Sequence, residues 1–318
     1  MTAAVIGTTS WGTTLAVCLA RSGARVSLWA RTREEALALG ETPSLPRTLS
    51  VVWSLGEALK GVEVVVLAVP SQAVRSSARL LREHLGGSPI LINAAKGLEA
   101  DTALRMSQVL VQELPALESR VCALSGPNLA REIAQGLPAA TVVACQDRGL
   151  AEEARRKLRL AGVTVYTSQD IVGVELAGAL KNVIAMAAGL VEGLGYGDNA
   201  RATLMARGLG EMVALGLACG AQEKTFYGLA GVGDLIVTGM SPLSRNHRVG
   251  LGLARGQALP DILASLGGVA EGIPTAQGAF LLARKQGVAM PITQAVHRVL
   301  FQGLDPKEAA RELLGFDA

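Results

Sequence analysis

Aromatic side chains are scarce in this sequence, making up 3% of its 318 residues. The interior must therefore be built mostly from Ala, Val, Leu, Ile and Gly. Cysteine is scarcer still: Cys18, Cys122, Cys145 and Cys219 lie far apart, without metal-ligand spacing. Each sits among apolar neighbours, which argues against a metal centre or disulfide framework and for free thiols in a reducing compartment. Long apolar runs are missing too. Stretches such as 64–69 and 183–191 fall far short of a bilayer, so no membrane span is expected. No basic segment followed by an apolar one precedes residue 3, so no signal peptide is expected and a cytoplasmic location follows. Neither sign of charge dominates: 30 Lys and Arg face 27 Asp and Glu, for a net charge of +3. With no block of like charges, a nucleic-acid-binding arm is excluded.

What is present is a globular composition, 50% hydrophobic and 18% charged, on a chain long enough for two domains. The first half alternates short β-branched runs with helical patterns. Strands are expected at 3–6, 25–29, 64–69, 90–93, 121–124, 141–144 and 163–166, with helices such as 12–21 and 151–160 between them. Several of the runs are continuously apolar, as strands buried on both faces are. Repeated strand–helix–strand units predict a doubly wound parallel α/β sheet of the Rossmann type. Beyond residue 168 the strand signals stop. Helical periodicity predicts helices at 171–194, 199–219 and 275–285, and Asp305-Pro306 opens a last one. The expected organisation is a dinucleotide-binding domain over 1–168 and an all-α substrate domain over 169–318.

The first strand runs into Gly7-Thr8-Thr9-Ser10-Trp11-Gly12, which opens a helix. A dinucleotide fingerprint belongs at this place, with the helix N-terminus aimed at a pyrophosphate. The pattern is G-x-T-x-x-G, so Thr9 stands where glycine normally lets the pyrophosphate approach the backbone. The other reading of the segment is an ordinary turn capped by Ser10. Roughly 20 residues beyond such a fingerprint, an acid usually closes the second strand and binds the ribose hydroxyls of NAD. Here the strand ends Leu28-Trp29-Ala30-Arg31, with no acid. An Arg at this place pairs with the 2′-phosphate of NADP, or simply lies solvated at a helix start. Within the helical half, Lys181 is the sole ionisable residue between Leu176 and Leu190. A Lys in such a stretch either snorkels to solvent or is held in a dry site with a lowered pKa, as an acid/base requires.

Several segments together resemble the bacterial NAD(P)-dependent glycerol-3-phosphate dehydrogenase family. They are the Gly7–Gly12 turn, Ala95-Lys96-Gly97, Ser125-Gly126-Pro127, Gly178-Ala179-Leu180-Lys181-Asn182, Gly193-Leu194-Gly195-Tyr196-Gly197, Gly231-Val232-Gly233-Asp234-Leu235, Ser244-Arg245-Asn246 and Met290-Pro291-Ile292-Thr293. The likeness covers essentially the whole chain, and its strength lies in the joint occurrence in this order. It implies hydride transfer between NAD or NADP and the central carbon of a small phosphorylated substrate, interconverting dihydroxyacetone phosphate and glycerol 3-phosphate, a phospholipid precursor. It also implies roles for individual residues. Lys181 is the acid/base, Lys96 touches both substrate and cofactor, and Asp234 holds a lysine ammonium with help from Thr238, unless it is only a helix N-cap. Gly126, Asn128, Asn182, Ser244, Arg245 and Asn246 join Lys96 and Thr238 as substrate contacts. Gly7, Thr9, Ser10, Trp11, Gly12, Arg31, Lys96, Ala130, Arg245, Val269 and Glu271 are cofactor contacts. A homodimer is one assembly open to such a chain.

Three departures stand against the family pattern. Thr9 replaces a glycine. Asn128-Leu129 stands where the family has Ser or Thr followed by an aromatic. The segment after the second helix, around 41–50, is shortened. Two other function classes stay open at this stage: a dehydrogenase of another small hydroxy or keto acid, and a non-catalytic NADP-binding sensor.

Overall fold

The computed structural model describes residues 1–42 and 45–314. Its internal contacts separate it into two compact units. The first comprises residues 1–95 and 106–171, and the second residues 96–105 and 172 onward. This division differs from a single cut after residue 168 in placing 96–105 with the helical unit. This segment packs with the helices, through the fully buried Leu98 and a 2.6 Å ion pair from Arg105 to Glu175.

The first unit holds an eight-stranded sheet: β1 (Thr2–Ile6), β2 (Arg25–Trp29), β3 (Leu49–Val52), β4 (Val64–Leu67), β5 (Ile90–Asn93), β6 (Val121–Ser125), β7 (Ala139–Ala144) and β8 (Val163–Ser168). Its helices are α1 (Ser10–Arg21), α2 (Arg33–Gly40), α3 (Leu55–Ala58), α4 (Val74–Arg82), α5 (Met106–Glu113), α6 (Ala130–Ala134) and α7 (Arg148–Lys157). The strand order is β3-β2-β1-β4-β5-β6-β7-β8. It reverses direction between β1 and β4, the kind of switch point where open α/β sheets take ligands at their carboxyl ends. Every residue of β4 and β5 is buried, which explains their unbroken apolar runs.

Two features differ from the expected sheet. β3 went unread, because Leu-Ser-Val-Val is too short to show a period and is fixed only by pairing with β2. Part of the shortened segment thus forms this edge strand, while Pro43 and Ser44 within it lie outside the described residues. The sheet is also mixed: β7 runs antiparallel to β6, and β8 parallel to β7. The reason is length. The five-residue α6 rises only about 7–8 Å, too little to carry the chain back along the sheet, so β7 starts at the end where β6 stops.

The second unit is helical: α8 (Ile171–Gly193), α9 (Gly197–Ala218), α10 (Glu223–Phe226), α11 (Asp234–Met240), α12 (Arg245–Ala254), α13 (Leu259–Ser265), α14 (Gly272–Gln286), α15 (Pro291–Phe301) and α16 (Pro306–Leu314). By length and composition α8 could cross a membrane, but 94% of its most apolar window is buried inside the protein. It is the central core helix, apolar all round because it is covered all round. Glycines let α12 lie directly on it. A Cβ on Gly250 would stand 1.9 Å from the Met186 carbonyl oxygen, and one on Gly189 2.0 Å from that of His247.

This contact predicts opposite outcomes for two glycine substitutions. Gly250→Ala should destabilise the protein by about 1–3 kcal/mol, since backbone must move to admit the methyl. Gly210→Ala on α9, where an added Cβ meets nothing within 4 Å, should be neutral or stabilise by roughly 0.5–1 kcal/mol. Urea unfolding of the two variants measures both.

Candidate active site

The chemistry-bearing side chains of the second unit gather around one carboxylate. A π-helical turn, Leu229–Gly233, leads into α11 and sets Asp234 as its first residue. Gly231 is required by space: a Cβ there would lie 2.0 Å from the Phe226 carbonyl oxygen. Asp234 is 2% exposed and does not spend its carboxylate on capping. Its Oδ1 accepts from Lys181 Nζ at 3.0 Å and its Oδ2 from Lys96 Nζ at 2.7 Å. Thr238, one helical turn along the same face, accepts from Lys181 Nζ at 2.6 Å and donates to Asp234 Oδ1 at 3.3 Å.

Two ammonium groups thus share one carboxylate, an arrangement of net charge +1. Burial would raise the Asp234 carboxyl, but Lys181 and Lys96 outweigh it and hold it below the usual carboxylate range. For Lys181 burial wins. Desolvation lowers its pKa against the pull of Asp234, the Lys96 ammonium pushes the same way, and the result is about 8. Lys181 therefore does not snorkel. An ammonium has three N–H donors, and Asp234 and Thr238 take two.

Asn182 and Asn246 join the two sides of this site. Asn182 Nδ2 donates to the Lys96 carbonyl at 3.4 Å, and its Oδ1 accepts from Asn246 Nδ2 at 2.9 Å. Asn246 Oδ1 accepts from the Gly272 amide at 2.9 Å, at the start of α14. Both amides expected as substrate contacts are thereby committed to holding Lys96, α8, α12 and α14 together. Ser244, likewise expected on substrate, caps α12 by accepting from the His247 amide at 3.2 Å. Arg245 follows it, exposed, its guanidinium lying against the Gly268 backbone, with Nη1 2.3 Å from where a Cβ on Gly268 would stand. Val269 is exposed beside it and Glu271 precedes the first residue of α14.

The other expected residues belong to the first unit. Gly7 has φ +110°, and a Cβ there would lie 2.9 Å from the Ala68 carbonyl oxygen; one on Gly12 would lie 2.1 Å from that of Gly7. Only glycine fits either place. Thr9 is turned inward: its hydroxyl donates to the Ala68 carbonyl at 2.7 Å and accepts from the Gly12 amide at 3.1 Å, so Thr9, not Ser10, caps α1. The amides of Ser10 and Trp11 have no acceptor earlier in the helix and suit an anion. The Trp11 indole N–H is buried with no acceptor among the described residues. These residues fit a dinucleotide phosphate, and Thr9 does not obstruct the turn. Ala130 opens α6 near this helix, its carbonyl 3.4 Å from the Thr14 hydroxyl. Gly126 has φ +150°, and Asn128 is bound to the Ala140 carbonyl and the Thr141 hydroxyl of β7.

Two residues were missed in the sequence. Asn93 bridges to both the amide and the carbonyl of Ala95 and so shapes the chain three residues before Lys96. Glu35 puts a carboxylate beside the fingerprint turn and the end of β2, where the strand itself supplies no acid. Its Oε1 accepts from the Thr8 hydroxyl and its Oε2 from the Arg31 amide at 3.1 Å. The signal was Thr32-Arg33-Glu34-Glu35, a capping-box pattern whose Thr32 hydroxyl accepts from the Glu35 amide.

Family models for the N-terminus and the C-terminus of NAD-dependent glycerol-3-phosphate dehydrogenase match residues 2–151 and 170–311. A glycerol-3-phosphate dehydrogenase [NAD(P)+] of Dehalococcoides mccartyi is 47% identical, over 99% of this chain and 90% of that protein. One of Moorella thermoacetica is 49% identical over 94% and 91%. The crystal structure of glycerol-3-phosphate dehydrogenase from Coxiella burnetii superposes with a TM-score of 0.93 at 34% identity, covering 99% of each chain.

The shared carboxylate makes the Lys181 titration a test of the geometry. Asp234→Asn removes the charge that holds that pKa up, so Lys181 should lose its proton well below pH 8. Nuclear magnetic resonance of lysine labelled at Cε reads this directly; an unmoved titration would mean the pair is not formed.

Proposed function

The chain belongs to the NAD-dependent glycerol-3-phosphate dehydrogenase family, and from that premise we propose that Lys181 is its acid/base, with Asp234 and Lys96 as its electrostatic partners. The protein is an NAD(P)-dependent oxidoreductase that interconverts dihydroxyacetone phosphate and glycerol 3-phosphate, a precursor of glycerophospholipids. When bound, the nicotinamide supplies the hydride for reduction and takes it back for oxidation. The chain's own residues handle the proton and the charge. As hydride reaches the carbonyl carbon, negative charge builds on the carbonyl oxygen. The Lys181 ammonium donates its third N–H to that oxygen and transfers the proton, leaving a neutral amine. Lys96, still an ammonium on Asp234, keeps positive charge beside the oxygen throughout. In the reverse direction the neutral Lys181 amine takes the alcohol proton.

The observation that carries this assignment is a buried lysine with a pKa of about 8, held by a carboxylate and a hydroxyl. A catalytic pKa near the working pH serves both directions. Thr238 and Asp234 fix where the ammonium sits. We assign substrate phosphate to Arg245, whose exposed guanidinium starts α12 and lies against the glycine loop. Asn182 and Asn246 act by positioning Lys96. Gly126 and Asn128 are kept as substrate contacts, and Arg31, Ala130, Val269 and Glu271 as cofactor contacts beside the Gly7–Gly12 turn. The two-unit division is read as cofactor binding in the first and catalysis in the second. Four free cysteines suit a reducing cytoplasm.

Three measurements check these roles. Lys181→Ala should lower kcat about 10²–10⁴-fold while NADH still binds; near-normal turnover would remove Lys181 from the mechanism. The rate of ketone reduction should fall as pH rises through about 8, where the Lys181 proton is lost, and alcohol oxidation should rise over the same range. Arg245→Ala should raise KM for dihydroxyacetone phosphate and lower kcat as well, because phosphate binding orients the carbonyl. If unphosphorylated dihydroxyacetone served the parent protein equally well, the phosphate assignment would fall.

A further inference from the structure

The ribose end of the dinucleotide site carries two opposite charges that the fingerprint pattern does not account for. Arg31 follows β2 and is exposed. The second nearby cation, Arg33, lies over the Trp53 ring at 5.3 Å and adds positive charge, while Arg31, directly after the strand, is the guanidinium placed for a 2′-phosphate. The Glu35 carboxylate stands against both the Thr8 hydroxyl of the turn and the Arg31 backbone amide. It is half-buried, whereas Glu34 beside it is exposed. Three hydrogen bonds hold the residue: those two to its carboxylate, and its own amide to Thr32. A carboxylate has about four acceptor sites, so it retains capacity for a further donor.

We propose that Glu35 discriminates between the two cofactors, its carboxylate accepting the ribose hydroxyl of NADH and opposing the 2′-phosphate that Arg31 attracts. The proposal rests on the dinucleotide-binding reading of this unit. An acid normally reaches the ribose from the end of the second strand. Here the chain supplies it from the first turn of α2, four residues after Arg31, and the tether to Thr8 fixes it at the turn. A 2′-hydroxyl is a donor that suits the carboxylate. A 2′-phosphate brings about two negative charges into its field. Arg31 and Glu35 therefore act against each other, and neither cofactor is excluded. Without Glu35, Arg31 alone would make the site select NADPH.

The test is the binding of NADH, NADPH, 5′-AMP and 2′,5′-ADP to the full chain, followed by tryptophan fluorescence, with no turnover involved. In Glu35→Gln, NADPH and 2′,5′-ADP should bind roughly three- to tenfold tighter as the repulsion goes, while NADH and 5′-AMP weaken or hold. In Arg31→Ala the phosphorylated pair should weaken about tenfold and the other pair little. Gln keeps a side-chain oxygen that can accept from the Arg31 amide and leaves the Glu35 amide to Thr32 in place; should that variant not fold, Glu35→Ser carries the same expected direction. Equal shifts for both cofactors in the Glu35 variant would overturn the proposal and reduce Glu35 to a positioning residue for the turn. Failure of the parent to bind either dinucleotide would instead overturn the cofactor reading itself.

Discussion

One buried carboxylate, Asp234, bound to two lysines, is the constraint on which the second unit's chemistry depends. A charged group at 2% exposure is tolerable only when paired and hydrogen-bonded, and here the pairing is double. Remove either lysine and the other still neutralises the carboxylate. Remove the carboxylate and two ammonium groups are left facing each other in a dry place. The two lysines are therefore not equivalent. Lys181 lies on α8 with a side chain 9% exposed; Lys96 is 15% exposed. Burial lowers the pKa of the deeper one, Lys181.

Holding this group together requires elements distant in sequence to approach more closely than side chains ordinarily allow. Gly189 and Gly250 bring α8 and α12 into backbone contact, and Gly272 brings α14 within reach of Asn246. The Asn182–Asn246 bond then ties α8 to α12, and Asn182 ties both to the Lys96 backbone. Lys96 arrives on 96–105, an excursion anchored by Leu98 in the helical core and by the Arg105–Glu175 pair. Packing and the geometry of this polar cluster are one problem here: the glycines that make the helices fit are the same ones that bring the polar groups to hydrogen-bonding distance.

At the fingerprint turn the unusual residue is absorbed by the protein. Thr9 uses its hydroxyl as a helix cap and as a donor to Ala68, so the missing glycine is replaced by a side chain folded back on its own turn. The remaining glycines, Gly7 and Gly12, are fixed by backbone contacts that no other residue could make.

The sequence by itself determined the α/β-then-α order, seven of the eight strands, six of the helices to within a few residues, and the reaction. Buried parallel strands read as continuous apolar runs, and the family's motifs recur in order along the chain. It also marked Lys181, because a lone charge in an apolar helix is conspicuous. Tertiary structure alone decided what depends on partners far away in the chain. β3 exists because β2 pairs with it, and β7 reverses because α6 is too short to cross the sheet. Asn182, Asn246 and Ser244 carry polar groups that suit a ligand, yet in the fold those groups meet each other, the backbone and a helix end. Glu35 went unread in the sequence, and only the approach of α2 to the first turn gives its carboxylate a place beside Thr8. Local pattern fixes which elements form; where a hydrogen-bonding group ends up is fixed by which other group arrives within about 3 Å of it, and that is a property of the packed chain.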